Sequence, residues 1–91
     1  MSKNYEYTPR GVCSRKIYLS LDDEGKTIEH VEFVGGCNGN LKAIGKLVEG
    51  KPVDEIAQIL AGNTCGPRPT SCADQLSKAL VAAAEAARAE A

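Results

Sequence analysis

Between Arg15 and Val34 the chain alternates. In RKIYLSL, Ile17, Leu19 and Leu21 are separated by polar partners, the period-two pattern of a half-buried strand. DDEGK follows, a turn in which Gly25 can take positive φ. TIEHVEFV then returns, with Val31 and Phe33 on one face and Ile28 and Val34 on the other. Residues 15–34 therefore predict a β-hairpin. Residues 1–10 are polar and read as a tail or a lead-in strand.

The period changes after GGCNGN. Leu41, Ile44, Leu47 and Val48 fall at helical spacing, and Gly50 is placed to end that helix. Pro52 stands near the start of VDEIAQIL, where its missing N–H costs little. Val53, Ile56, Ile59 and Leu60 line one face of this second helix, and Gly62 closes it. NTCGPRPT is loop, because Pro67 and Pro69 interrupt regular structure. Thr70 or Ser71 can cap a third helix, with Asp74 in its first turn where negative charge is favoured. Leu76, Leu80 and Ala83 continue its apolar stripe. The last part, VAAAEAARAEA, has high helix propensity and little to bury, so residues 84–91 are expected to fray. The order is strands first, then three helices: an α+β fold, with an antiparallel β-hairpin or small sheet and three helices packed on one face.

At 91 residues this is one domain with a thin core, poor in aromatics. A metal site or a dimer interface would help stabilise such a chain, so a homodimer is one expectation. The net charge is −1, with acidic and basic residues interspersed. No basic stripe with interleaved aromatics is present, which argues against nucleic acid as a partner. No segment approaches the ~20 apolar residues of a membrane span. MSKNYEYTPRGV has no apolar run, so the expected compartment is the cytoplasm. Thiols there are kept reduced, and four cysteines in a small chain point to metal ligands or redox groups before a disulfide frame.

The cysteines are Cys13, Cys37, Cys65 and Cys72, with 23, 27 and 6 residues between them. None of these gaps is the short knuckle of common zinc fingers. Their positions carry more. Each falls at the end of a predicted element, beside glycine or proline. Cys37 and Cys72 stand close to helix N-termini, whose dipole and free N–H groups stabilise a thiolate. Thiolate is the form that binds metal, attacks electrophiles and becomes oxidised. Packing in the core is the plain alternative, since free cysteine is among the most buried residue types. Four cysteines all in turns fit that alternative poorly.

Gly35, Gly36, Asn38, Gly39 and Asn40 form a glycine-rich lead into a helix, a backbone suited to approach an anion or another ligand. The P-loop pattern is absent. His30, the one histidine, alternates away from Val31 and Phe33 and reads as an exposed face residue. Asp74 is either helix-start charge or an oxygen ligand or proton acceptor beside Cys72. Arg68 sits where it could balance a thiolate. No arrangement suited to hydrolysis is visible.

GGCNGNLKAIGKLVEGKPVDEIAQIL, the CG at 65–66 and TSCADQLSKAL resemble the TSCPD domain family, whose name-giving motif stands here as TSCAD, residues 70–74. Ala73 replaces the proline of that motif, which leaves the helix start intact. The resemblance runs from about Cys13 to Leu80 and implies that all four cysteines belong to the family pattern. Similar domains occur at the C-terminus of cobalamin-dependent ribonucleotide reductases, so it also implies a link to a larger redox enzyme. A looser similarity is to iron–sulfur scaffold proteins of the IscU type. There a glycine-flanked cysteine at a strand-to-helix turn and a later one at a helix start hold zinc or a nascent cluster. Cys37 would match the first, and Cys65 or Cys72 the second.

Three functions follow as expectations. The first is a metal-binding module holding zinc or an iron–sulfur cluster through Cys37, Cys65, Cys72 and Cys13. The second is a thiol redox or sulfur-carrier protein with Cys72 as nucleophile and Cys65 as resolving partner. The third is a non-catalytic dimeric module that binds an anionic cofactor such as a nucleotide or flavin at the glycine-rich loop.

Overall fold

A computed structural model describes residues 3–12, 14–36, 38–64 and 69–90. Three strands, β1 (Lys3–Tyr7), β2 (Ser14–Leu21) and β3 (Ile28–Gly35), form an antiparallel sheet in the order β1-β2-β3. Three helices follow: α1 (Asn38–Val48), α2 (Val53–Leu60) and α3 (Cys72–Glu90). The fold is α+β, as the order of hydrophobic patterns implies. The polar lead-in is a strand, paired from Lys3 opposite Leu21 to Tyr7 opposite Ile17.

Ile17, Leu19 and Leu21 point from β2 into the core and meet Leu76, Ala79, Leu80, Ala83 and Ala84 of α3 and Val53 and Ala57 of α2. The other face of the sheet, with Glu6, Tyr18, His30, Glu32 and Val34, is exposed. Val48 of α1 closes the core beside β3, the strand at one edge. Gly45 makes this close approach: a Cβ there would sit 2.8 Å from the Val31 carbonyl oxygen.

Two register shifts break the alternation. Ser20 lies opposite His30, but Leu21 lies opposite Ile28, so Glu29 is the extra residue of a β-bulge. This corrects the expected faces of the return strand. Ile28 does not share a face with Val34; the bulge turns it inward with Val31, and it is fully buried, while Val34 stays exposed. The second shift is at the start of β2. Ser14 pairs with Gly35 and Lys16 with Val34, which leaves Arg15 extra. Strict alternation from Ile17 would face Ser14 outward; the bulge buries it.

The turn between β2 and β3 is held by Asp22, whose Oδ1 accepts the Lys26 N–H at 2.8 Å. That N–H and those of Thr27 and Gly25 hold the Asp22 carboxyl below its usual value, against a smaller opposing effect of burial. The chain after α1 runs beside this turn. Ile28 N–H donates to the Lys51 carbonyl at 2.9 Å and Val53 N–H to the Lys26 carbonyl at 2.8 Å.

The alanine-rich end of α3 finds a surface that its composition did not advertise. Ala83, Ala84 and Ala87 are buried, and Gly25 lies so close that a Cβ on it would meet the Ala87 Cβ at 2.9 Å. Arg88 then donates to the Gly25 carbonyl at 3.1 Å and to Asp54 at 3.0 Å. α3 runs to Glu90, and Ala84 and Ala87 dock against the hairpin turn because alanine is small enough to let the backbones approach. Among the described residues, no helix is long and apolar enough to cross a membrane.

Candidate functional site

The start of α3 is built by Thr70, Ser71, Asp74 and Gln75. Ser71 is the N-cap: its Oγ accepts the Asp74 N–H at 3.1 Å and donates to the Asn63 carbonyl. The Asp74 carboxylate accepts from the Gly62 N–H at 2.7 Å on one oxygen and from the Thr70 hydroxyl at 2.5 Å on the other. Lys78 lies 3.8 Å from it, one helical turn on. Asp74 is 6% exposed. The Thr70 hydroxyl, then the Gly62 N–H, hold its carboxyl below the usual 3.8, outweighing burial, and Lys78 adds to the effect. Of the two roles open to Asp74 in the sequence, the helix-start role matches these contacts.

Gln75 carries the network to the other side. Its Nε2 donates to Thr70 Oγ1 at 3.0 Å, and its Oε1 accepts the Arg10 N–H at 3.1 Å. A clasp of buried, mutually satisfied polar groups thus joins the β1–β2 loop, the end of α2 and the start of α3. Each such bond contributes only ~0.5–1.5 kcal/mol net, but leaving one partner unmet costs ~1–3 kcal/mol. The clasp therefore fixes geometry more than it adds stability.

Cys72 is the first residue of α3 and is half-buried. Its Sγ lies 3.3 Å from the Ser14 hydroxyl oxygen. Ser14 is 4% exposed and stands opposite Gly35 in the sheet. Gly35 and Gly36 take φ of +81° and +79°, left-handed backbone that favours glycine, and turn the chain from β3 into α1. Gly35 ends β3, and Asn38, Gly39 and Asn40 form the first turn of α1.

Of the four expected metal ligands, Cys72 is described, while Cys13, Cys37 and Cys65 lie outside the described residues, as do Pro67 and Arg68. Described residues within two positions of each of them are linked, directly or through Ser14, to the start of α3. Ser14, which follows Cys13, touches Cys72 and pairs with Gly35, two residues before Cys37. Asn63, two residues before Cys65, is bonded to Ser71, which precedes Cys72. Among the described residues, no group of three or more His, Cys, Asp or Glu side chains is placed to hold a metal ion.

Sequence reasoning passed over Ser14 and Gln75; it named Thr70 or Ser71 as the cap, and Ser71 takes that place. Ser71 and Asp74 carry a legible capping signal. Ser14 carries none, because the bulge that turns it inward is invisible in the alternation.

A second concave feature runs along β3 and α1, a groove of about 610 Å³ lined by His30, Val31, Glu32, Phe33, Lys42 and Lys46 among others. His30 is exposed, as its place in the strand implies, and pairs with Glu49 at 3.1 Å. Lys42, Lys46, Glu32 and Glu49 share this lining, so the groove favours neither sign of charge.

In comparison with known protein families, the TSCPD domain matches residues 1–84. No curated protein and no solved structure matches the chain.

Proposed function

The chain belongs to the TSCPD domain family, and from that premise we propose that it is a small metal-binding module in which Cys13, Cys37, Cys65 and Cys72 hold zinc or an iron–sulfur cluster. One observation carries this reading: described residues within two positions of Cys13, Cys37 and Cys65 are linked, directly or through Ser14, to the start of α3 that carries Cys72. The donor set fits the metal. Four soft thiolates suit tetrahedral zinc or cluster iron and do not suit magnesium or calcium. Polar side chains of the kind that orient ligand-bearing segments are already locked in place by the clasp. As a member of this family it would serve a nucleotide-reducing or other redox enzyme.

The test is metal content and the visible spectrum of protein purified without oxygen and without a metal-binding tag. The expected result is near-stoichiometric zinc, or iron with a sulfide-to-iron charge-transfer band. Removal by a chelator should lower the melting temperature, because binding free energy at such a site is also folding free energy. A metal-free protein that folds and takes up neither zinc nor iron overturns the proposal. The thiol-exchange reading, with Cys72 as nucleophile, would then take its place.

A further inference from the structure

Ser14 breaks the rule of its strand. In β2 the inward positions are Ile17, Leu19 and Leu21, and their period excludes position 14. The extra residue Arg15 shifts the phase and sends a hydroxyl into the interior, where its oxygen lies 3.3 Å from Cys72 Sγ. β-Bulges are over-represented beside functional sites, where they re-aim a side chain. A buried hydroxyl in this place could have been any small apolar residue if packing were its purpose.

We infer that Ser14 is a positioning residue for Cys72: its hydroxyl donates a hydrogen bond to the sulfur and fixes the direction in which that sulfur meets a metal ion. This rests on the metal-module reading above. When Cys72 is a thiolate it has no proton to give, so Ser14 must be the donor. A ligand held by such an outer partner is kept in one orientation, and loss of the partner typically weakens metal binding about 10- to 100-fold. The clasp of Thr70, Asp74 and Gln75 holds the helix that carries Cys72; Ser14 holds the sulfur itself.

The test compares Ser14→Ala, which removes the donor, with Ser14→Thr, which keeps it. Zinc affinity is measured by competition with a chromophoric chelator, and cobalt(II) serves as a spectroscopic probe through its thiolate charge-transfer band. Ser14→Ala should lose about 10- to 100-fold in zinc affinity and shift the cobalt band, while Ser14→Thr stays within about threefold of the unaltered protein. Melting of the metal-free proteins separates this from loss of fold. Unchanged affinity and band in Ser14→Ala overturn the inference. Should Ser14→Ala not fold, a folded Ser14→Thr that loses the affinity overturns it as well. If the unaltered protein binds neither zinc nor cobalt and takes up no iron, the metal reading fails by itself. Ser14 is then tested by the rate at which iodoacetamide alkylates Cys72, resolved by peptide mass. Ser14→Ala should change that rate by at least about threefold at fixed pH, and an equal rate overturns the contact's role.

Discussion

Asp74 shows what one carboxylate does at a helix start. Its carboxyl is held below 3.8 by the Thr70 hydroxyl and the Gly62 N–H. A lowered folded-state value means that the stabilisation is fully present above about pH 4 and fades as pH falls through the folded value. Asp74→Asn should cost ~1–3 kcal/mol in urea unfolding at pH 7, and the variant should lose less stability than the unaltered protein on going below pH 4. Equal acid sensitivity in both would show that Asp74 is not the group responsible. Tyr5 poses the opposite case. Its hydroxyl oxygen is buried and, among the described residues, meets no hydrogen-bond partner. Tyr5→Phe removes that unmet group, so stability should hold or rise by up to ~1 kcal/mol, whereas a clear loss would reveal a partner. The role of Asp74 was half legible: its place in a first turn is a sequence signal, but its bonds to Thr70 and Gly62 depend on a loop that folds back. Nothing in the sequence marks Tyr5, whose burial depends on α3 crossing under β1.

Elements were legible where the hydrophobic period is long and unbroken. The three helices and the hairpin were readable from Leu41, Val53, Leu76 and Ile17 and their repeats. The exceptions were physical. A bulge leaves no mark in a list of apolar positions, so Ile28 was assigned to the wrong face and Ser14 went unnoticed. Gly45 was equally silent, since a helical glycine looks like a flaw until the strand beside it is seen. Gly45→Ala puts two effects in opposition. Alanine gains about 1 kcal/mol of helix propensity, but a Cβ 2.8 Å from the Val31 oxygen must push α1 away from β3. Overpacking against backbone costs ~1–3 kcal/mol, so a net loss of stability is expected, read as a lower denaturation midpoint. A gain would mean that α1 moves freely along the sheet.

On the scale of the whole molecule, the last turns of α3 close the structure. They join the hairpin turn through Gly25, α2 through Asp54, and β1 through the Lys3 ammonium, 3.5 Å from the Ala87 carbonyl. Two neighbouring alanines test this. Ala86 is exposed and Ala87 fully buried. Ala86→Glu should change stability by no more than ~0.5 kcal/mol, while Ala87→Glu should cost ~3 kcal/mol or more by forcing a carboxylate into the interior. Similar small effects at both positions would return the helix end to solvent. Composition alone could not foresee this docking, because it reports how little alanine buries and not how near its backbone can come.

The seat of α1 on β3 also governs how the sheet can grow. A strand arriving at the β3 side would meet α1, whose Gly45 stands against the Val31 carbonyl oxygen. Among the described residues no strand lies beyond β1, and there Lys3 and Glu6 bring charges of both signs. A fibre needs two open borders on every copy, so a helix seated on one border guards this small sheet against endless stacking, and that seat depends on the absence of a single methyl group at Gly45.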